Sequence, residues 1–294
     1  MFISYLTNTI KYGIVLIKQR KDYLKHQIVQ TTKTGLACLH GLPFKETHDR
    51  PIIFAHGLWE GDIFHTYNNW VEFCLRLGWE VWVVTLPGRG ATPSVHRNMG
   101  QDTLQDYSAR LELFINDLSA TRINLVGHST GGLTAQMVSQ NRKLSGVVMA
   151  QSVPPSGIFL TLPVWKRLLR WEYLKAMYKG DVFMARREDL AELMLNRLSP
   201  AAIDEYPIHA ESGTVIRQIV WGVPVSPLAF VGRALPSMVL AGTHDRLLPP
   251  SVQMQIAQKF GSIYVETPNG HVSMVEKNWQ EPIIQILEFF GRLP

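Results

Sequence analysis

Residues 122–132 read RINLVGHSTGG, and this stretch decides how the rest of the chain is interpreted. Its first five residues are mostly apolar and predict a buried strand, and a helical pattern follows from Leu133. Glycine weakens both strands and helices, so three glycines within seven residues indicate a turn too sharp for other side chains. The serine between Gly127 and Gly131 stands at the top of that turn. We therefore predict a strand, a tight turn that presents Ser129, and a helix.

The same alternation of strand and helix extends on both sides of this turn. Compact apolar runs predict strands at residues 51–55, 80–85, 122–126, 146–150, 237–241 and 262–266. Apolar residues at helical spacing predict helices at residues 70–77, 103–118, 133–140, 252–260 and 282–290. Two short strands are predicted before them, at residues 27–35 and 36–40. Strands that alternate with helices in this way are typical of a parallel sheet in an α/β domain.

One long interval interrupts the alternation. Residues 154–233 are rich in Trp, Leu, Met and Arg at helical spacing, with no convincing strand. We interpret them as a helical cap, or lid, inserted into an α/β core of residues 27–153 and 234–294. Residues 1–26 carry apolar positions at helical spacing, and we predict a helical arm that packs on its own domain. The alternative for this arm is a helix on a membrane surface, because it holds five cations and one carboxylate.

The composition is that of a globular protein and argues against several functions. The chain has 294 residues, of which 46% are hydrophobic and 18% charged, and a formal net charge of +5. Beyond residue 26 the chain is nearly neutral, without a basic face interleaved with aromatic residues, so we expect no nucleic-acid partner. Cys38 and Cys74 lie outside any metal-ligand or CxxC pattern. We therefore expect no metal site, and two reduced thiols in a cytoplasmic protein.

Two further polar residues stand where predicted strands end. A serine hydroxyl is a weak nucleophile until a base accepts its proton, and that base needs an orienting acid. Asp245 follows the strand at 237–241 in the segment GTHD, and His271 follows the strand at 262–266 in the segment TPNGH. Because the carboxyl ends of parallel strands meet at one sheet edge, these loops are expected to meet near Ser129. We predict that Ser129 attacks, His271 carries the proton, and Asp245 orients His271.

Acyl transfer also needs donors for the negative charge that develops on the substrate oxygen. We assign these donors to the N–H groups of Thr130, which follows the serine, and of Leu58, in the loop AHGLW. The apolar cap residues are expected to form part of an apolar pocket. The residues expected to contact substrate are Trp59, His128, Phe159 and Trp165. As the middle residue of the turn motif, His128 is nevertheless expected to direct its side chain away from the reacting serine.

Taken together, these motifs resemble those of the α/β-hydrolase superfamily, in its cap-bearing serine esterase or lipase branch. The resemblance covers residues 27–294. It rests on HG at 56–57, LPGRG at 86–90, GHSTG at 127–131, GTHD at 242–245 and GH at 270–271. It implies a mostly parallel sheet of eight strands with helices on both faces, and a lid inserted after the sixth strand. It also implies a Ser-His-Asp triad and no cofactor.

We predict hydrolysis of a carboxylic ester with an apolar, lipid-like or medium-sized acyl group, through an acyl-enzyme. One alternative keeps the fold and triad but uses them for acyl transfer, or for cleavage of a thioester, a lactone or a carbon–carbon bond in a biosynthetic pathway. A non-catalytic protein that binds a small ligand is the other alternative. The expected partner is a small apolar molecule. The oligomeric state, the natural substrate and the mobility of the lid stay open at this point.

Overall fold

A computed structural model of the chain describes residues 35–43, 45–141 and 144–294, and the backbone of two strands at residues 12–15 and 25–31. The strands are β1 (Tyr12–Val15), β2 (Lys25–Thr31), β3 (Ala37–Leu42), β4 (Ile52–Ala55), β5 (Val81–Val84), β6 (Asn124–His128), β7 (Gly146–Ala150), β8 (Val182–Phe183), β9 (Glu211–Ser212), β10 (Ser237–Gly242) and β11 (Ile263–Thr267). The helices are α1 (Ile63–Arg76), α2 (Leu104–Asp117), α3 (Thr130–Asn141), α4 (Leu162–Leu168), α5 (Trp171–Lys179), α6 (Arg187–Leu193), α7 (Pro200–Glu205), α8 (Gly213–Trp221), α9 (Pro250–Phe260) and α10 (Gln280–Gly291).

One large sheet organises the molecule. Its strand order is β1-β2-β3-β5-β4-β6-β7-β10-β11. The six strands from β5 to β11 are parallel to one another, and β1, β2 and β3 join them as antiparallel neighbours. The predicted α/β-hydrolase fold with a mostly parallel sheet is confirmed. The expected count of eight strands is wrong: seven strands follow from β3 onward, and β1 and β2 extend the sheet to nine.

The central strands are buried along their whole length. Every residue of β4, β5, β6 and β7 is buried, which explains their nearly continuous apolar sequences. Helices cover both faces of the sheet. Two of them, α1 and α2, begin at a side-chain cap. Asp62 accepts a hydrogen bond from the His65 N–H at the start of α1, and Thr103 and Asp106 form a reciprocal capping box on α2. The cap at Asp62 explains why α1 begins seven residues before the predicted helix at 70–77.

The insertion between β7 and β10 contains the helices α4 to α8, and we call residues 154–233 the cap. It also holds a small sheet, because β8 and β9 pair antiparallel through two residues each. The expectation that residues 154–233 contain no strand is therefore wrong in this detail. Two-residue strands are too short to leave an alternating pattern of apolar residues in a sequence.

The predicted helical arm over residues 1–26 is wrong for residues 12–15, which form β1, and for residues 25–26, which begin β2. The pairing of β1 with β2 explains the difference, because the sequence YGIV suits an extended strand once a partner is present. The other residues of the arm lie outside the described part of the chain. Among the described residues, no helix combines the length and the apolar character needed to cross a bilayer.

Both cysteines are buried thiols in the core. Burial in apolar surroundings disfavours the thiolate and raises the pKa of Cys38 to about 12. Neither thiol is therefore suited to act as a nucleophile near neutral pH.

Candidate active site

Ser129 occupies a sharp turn between β6 and α3. Its backbone has a φ of +52°, in the left-handed region that residues other than glycine rarely adopt. A Cβ atom on Gly127 would lie 2.2 Å from the carbonyl oxygen of Gly131, and one on Gly131 would lie 2.2 Å from that of Ala55. Both glycines are therefore required by the close approach of strand and helix. The turn holds Ser129 in a conformation that costs roughly 1–3 kcal/mol, as is common at functional sites.

The three loops that follow β6, β10 and β11 meet at the carboxyl edge of the sheet. The Nε2 atom of His271 lies 3.0 Å from the Oγ of Ser129, and its Nδ1 atom lies 2.8 Å from the Oδ2 of Asp245. The second oxygen of Asp245 accepts the N–H groups of Leu247 and Leu248, each at 2.9 Å. With Nδ1–H donating to Asp245, Nε2 is left to accept the serine proton. The structure thus brings the three residues predicted from sequence into one hydrogen-bonded series.

His128 is buried and forms a hydrogen bond to the backbone of His271. Its Nε2–H donates to the carbonyl oxygen of His271 at 2.7 Å, and its Nδ1–H donates to Glu60 at 3.0 Å. Both ring nitrogens therefore face acceptors, and Glu60 is the acidic partner of the ring. Burial opposes ionisation of Glu60, but the hydrogen bond and charge of His128 outweigh it and lower the Glu60 pKa. The predicted substrate contact of His128 is therefore replaced by a structural role.

The two predicted oxyanion donors, Leu58 and Thr130, both lie beside Ser129 and line the same cavity. A Cβ on Gly57 would lie 2.8 Å from the Cβ of Ser129, so the loop that carries Leu58 presses directly against the serine. In the described part of the chain, the Leu58 N–H donates no hydrogen bond. Thr130 is the first residue of α3, where an N–H has no partner within the helix. Each residue thus has an N–H that secondary structure does not use, and both residues line the cavity beside Ser129.

The next amide along this loop is held by the cap. The N–H of Trp59, whose φ is +61°, donates to the carboxylate of Glu211, and Glu211 also pairs with Arg89. The side chains of Arg89 and Glu211 are 1% and 0% exposed. Burial opposes the charge on Arg89, but Glu211 outweighs this and raises the Arg89 pKa. A buried ion pair between core and cap therefore fixes the residue next to the predicted oxyanion donor.

Backbone hydrogen bonds also join the loop that carries Leu58 and Trp59 to the cap. We call residues 56–61 the oxyanion loop and residues 207–212 the inner cap segment. The carbonyl of Trp59 accepts the His209 N–H at 3.1 Å, and the Gly61 N–H donates to the Pro207 carbonyl at 2.7 Å. Between them, Glu60 forms an isolated β-bridge with residue 208. The second half of the oxyanion loop, residues 59–61, is thus bound to the inner cap segment.

His56 begins the oxyanion loop and is held as a neutral ring. Its Nε2 atom accepts the Leu86 N–H at 2.9 Å, so the proton sits on Nδ1, which donates to the Gly57 carbonyl at 2.6 Å. Complete burial lowers the pKa of His56 to about 4. If Nε2 were protonated, its N–H would face the N–H of Leu86, and two donors would lie opposite each other. This is the structural reason for the low pKa of His56.

A small apolar cavity of about 40 Å³ lies in front of Ser129. Its walls come from the core, the oxyanion loop and the cap: Leu58, Trp59, Ser129, Thr130, Val153, Leu160, Val164, Leu168, Ile216, Ile219, Leu247 and Leu248. Of the four residues predicted to contact substrate, the structure brings only Trp59 to this wall. Phe159 is 78% exposed on the outer surface of the cap, and Trp165 lies on α4 outside the cavity lining. Apolar character alone does not tell which side of a cap helix faces the site.

One group of potential metal ligands lies away from this site. Ligand atoms of His96, Asp102 and Asp106 lie within 4.8 Å of one another. Asp102, however, already accepts hydrogen bonds from Ser94 and from two backbone N–H groups, and Asp106 caps α2. These contacts assign the group a structural role at the start of α2.

Sequence reasoning missed Glu60, Arg89 and Glu211. Arg89 stands inside the motif LPGRG and Glu60 directly follows the loop AHGLW, so a charged residue beside functional glycines was the available signal. Glu211 is 152 positions away from Trp59, and no local pattern marks it.

The model of the alpha/beta hydrolase family matches residues 52–282. No protein of curated function matches the chain in sequence. Similar solved structures include a monoacylglycerol lipase from Paleococcus ferrophilus, at 20% identity and a TM-score of 0.62, covering 87% of this chain and 98% of that one. An enol-lactonase from Burkholderia xenovorans LB400 has 18% identity, a TM-score of 0.63, and coverage of 88% and 98%. A thermophilic esterase from Thermogutta terrifontis has 19% identity, a TM-score of 0.61, and coverage of 92% and 99%.

At 18–20% identity, the similarity to solved structures establishes the fold alone. The family is established by the family model, which matches most of the chain. The strand order, the serine turn and the family match agree with one another. The chain belongs to the alpha/beta hydrolase family.

Proposed function

We propose that this protein is a serine hydrolase that cleaves a carboxylic ester through Ser129, His271 and Asp245. One observation carries the proposal: the series of hydrogen bonds at 3.0 and 2.8 Å that joins these three residues across 142 and 26 positions of sequence. Three loops that are distant in the chain converge at a strained, buried turn. This arrangement is the one that nucleophilic acyl transfer by serine requires.

The proposed reaction proceeds in two halves. The Ser129 hydroxyl transfers its proton to Nε2 of His271 while its oxygen bonds to the ester carbonyl carbon, and the carbonyl oxygen becomes an oxyanion. The amides of Leu58 and Thr130 stabilise this charge. The tetrahedral intermediate then breaks the bond to the alcohol, which takes the proton from His271. Water repeats the sequence on the acyl-enzyme and releases the carboxylic acid.

The cavity supports an uncharged, apolar acyl group as substrate. The side chains that form its walls are apolar apart from the hydroxyls of Ser129 and Thr130 and the indole of Trp59. Its volume of about 40 Å³ is far below the several hundred Å³ of typical ligand pockets, so a substrate must displace part of the wall. Three of the similar solved structures are described as a monoacylglycerol lipase, an esterase and an enol-lactonase, and this agrees with ester cleavage.

Labelling with a fluorophosphonate probe, together with hydrolysis of esters of graded acyl length, tests the proposal. The wild-type chain is expected to be labelled and to hydrolyse apolar esters. Ser129→Ala is expected to lose labelling and to lose turnover by about 10⁴-fold or more. Ser108→Ala serves as the matched control, because Ser108 is a buried serine on α2 and should keep both activities. Labelling that persists in Ser129→Ala would contradict the proposal.

The alternative reactions are distinguished in the same assay. A structure described as a thioesterase domain of the curacin pathway has 13% identity and a TM-score of 0.61, so thioesters belong in the substrate panel. Full labelling with product formed only after addition of an alcohol or thiol acceptor would indicate acyl transfer. Labelling without turnover of any substrate would favour a ligand-binding protein.

A further inference from the structure

The outer surface of the cap carries large apolar side chains that no part of the described chain covers. We call residues 159–179, which include α4 and α5, the outer cap hairpin. Along α5, Tyr173, Ala176 and Met177 are buried against the rest of the cap. Trp171 and Tyr178 lie on the opposite face of the same helix and are 77% and 86% exposed. A helix with one buried and one exposed apolar face has an unpartnered surface.

The exposed apolar residues of α5 share one face of the helix. Trp171, Leu174 and Tyr178 are spaced by three and four residues, which places them in one stripe along the helix. The preceding part of the hairpin adds Phe159, Leu162 and Leu169, which are 78%, 67% and 57% exposed. Single exposed apolar residues are common on protein surfaces, but six large ones within residues 159–178 are more than such scatter and mark an interaction surface.

The outer cap hairpin also carries cationic side chains. The outer cap hairpin contains five Lys and Arg residues and one carboxylate, Glu172. Arg167 and Arg170 are paired with acids of α6, and Glu172 is paired with Arg186. Lys166, Lys175 and Lys179 are exposed, and none of them forms an ion pair within the described residues. The unpaired charge of residues 159–179 is therefore positive, and the nearest exposed carboxylate along the chain is Asp181, two residues beyond Lys179.

The opposite side of the same hairpin forms part of the active-site wall. Val164 and Leu168 of α4, and Leu160 before it, line the cavity in front of Ser129. A partner on the outer surface would therefore lie about one helix diameter, roughly 10 Å, from the proposed site of hydrolysis.

We propose that the outer cap hairpin docks on an anionic lipid surface through Trp171, Tyr178 and the neighbouring apolar residues, with Lys166, Lys175 and Lys179 facing the headgroups. Trp and Tyr are suited to such a boundary because each ring has an apolar body and a polar tip. Lysines beside apolar residues add attraction to anionic headgroups. A second copy of the chain fits less well, since a symmetric contact would bring the cations of both copies together.

This docking goes beyond the proposed hydrolysis and does not require it. Lipid binding depends on the cap surface, whereas hydrolysis depends on Ser129. The Ser129→Ala variant of the full chain is therefore expected to bind lipid as the wild type does. Loss of hydrolysis without loss of lipid binding, or the reverse, separates the failure of one proposal from the failure of the other.

Vesicle flotation of the full chain tests the docking. Vesicles of phosphatidylcholine with about a third phosphatidylglycerol are compared with vesicles of phosphatidylcholine alone. The wild type is expected to float with the anionic vesicles, and about tenfold less with the neutral ones. Trp171→Ser/Tyr178→Ser is expected to reduce flotation about tenfold. Leu113→Ser is the matched control, because Leu113 is half exposed on α2, outside the cap, and should bind as the wild type.

Two further measurements keep the result interpretable. The double variant should keep the wild-type melting temperature and the wild-type rate on a short soluble ester, which shows that it is folded. Lys166→Gln/Lys175→Gln/Lys179→Gln should lose the preference for anionic vesicles. Equal flotation of wild type and double variant, or no flotation of the wild type, would overturn the proposal. So would a concentration-dependent dimer that the double substitution abolishes in the absence of vesicle binding.

Discussion

The inner cap segment and the outer cap hairpin belong to the same insertion, but different interactions hold them. The inner cap segment is bound to the oxyanion loop by a fully buried ion pair and by backbone hydrogen bonds. The outer cap hairpin packs on the rest of the cap through Tyr173, Ala176 and Met177, and its ion pairs, such as Arg186 with Glu172, lie within the cap and are partly exposed. Exposed pairs of this kind contribute roughly 0–1 kcal/mol.

This difference suggests how the closed cavity admits a substrate. The wall formed by Val164 and Leu168 belongs to the hairpin, whose ion pairs in the described residues all lie within the cap, whereas the oxyanion loop is joined to the inner cap segment by a buried ion pair that connects cap and core. Movement of the hairpin alone would enlarge the cavity and leave the proposed oxyanion donors in place. The cap would thus combine a fixed part that completes the site with a movable part that covers it. The predictions on Glu211, Leu168 and Glu172 test this division, and one on His56 tests the start of the oxyanion loop.

The largest effect is expected for Glu211→Ala. This change leaves Arg89 as an unpaired buried charge and removes the acceptor of the Trp59 N–H. Breaking a buried ion pair from one side costs about 3–5 kcal/mol, which urea unfolding should detect. Because the neighbouring Leu58 amide is then less well positioned, the kcat for ester hydrolysis is expected to fall about 10²-fold.

The double variant Arg89→Met/Glu211→Leu separates stability from positioning. Replacing both charges by apolar side chains should recover most of the free energy of unfolding. The Trp59 N–H still lacks its acceptor, so kcat should stay low while KM changes little. Recovery of kcat together with stability would show that the ion pair only holds the fold together.

The second effect concerns pH and His56. Its pKa is about 4 in the folded chain, below its ordinary value of 6.5, because it is buried as a neutral ring. Between pH 4 and 6.5, the imidazole of His56 is therefore protonated in the unfolded chain and neutral in the folded chain. The free energy of unfolding is expected to be insensitive to this group above pH 6.5, and to fall by about 3 kcal/mol as the pH drops to 4.

Urea unfolding of wild type and His56→Gln between pH 7.5 and 4 measures this contribution. The Gln side chain can accept the Leu86 N–H and does not titrate, so the variant should show a shallower loss of stability on acidification. Parallel pH curves for the two proteins would rule out His56 as the source.

A smaller effect is expected at the cavity wall. Leu168→Ala removes three carbons from the cavity wall at the outer cap hairpin and should raise the rate on longer acyl chains relative to acetyl esters by about tenfold. Leu174→Ala is the matched control, because Leu174 lies on the exposed face of the same hairpin. An unchanged ratio in Leu168→Ala would place the acyl chain elsewhere.

The smallest effect is expected for Glu172→Ala. It removes an exposed ion pair with Arg186, so the free energy of unfolding should change by less than about 0.5 kcal/mol. Measured beside Glu211→Ala in the same urea titration, it gives the contrast between the two parts of the cap directly. A loss close to that of Glu211→Ala would show that the hairpin is as firmly held as the inner cap segment.

Most of the sheet could be predicted because its signals are local. Buried parallel strands are short apolar runs, and the predicted strand at 146–150 matches β7 at both ends. The turn at Ser129 could be predicted because a close backbone approach demands glycine at Gly127 and Gly131. The arm at residues 1–26 was misjudged at β1, where an apolar spacing that also suits a helix is recruited by strand pairing.

The sequence by itself determined the alternation of strands and helices and the loops that carry Ser129, Asp245 and His271. Each of these follows from residue types within a few positions, and the strand ends bring the loops to one edge of the sheet. Only the tertiary structure decided that Glu211 holds Trp59, that His128 supports His271, and that Phe159 faces outward. These outcomes depend on which surfaces of distant segments pack together, and residue type alone does not specify that choice.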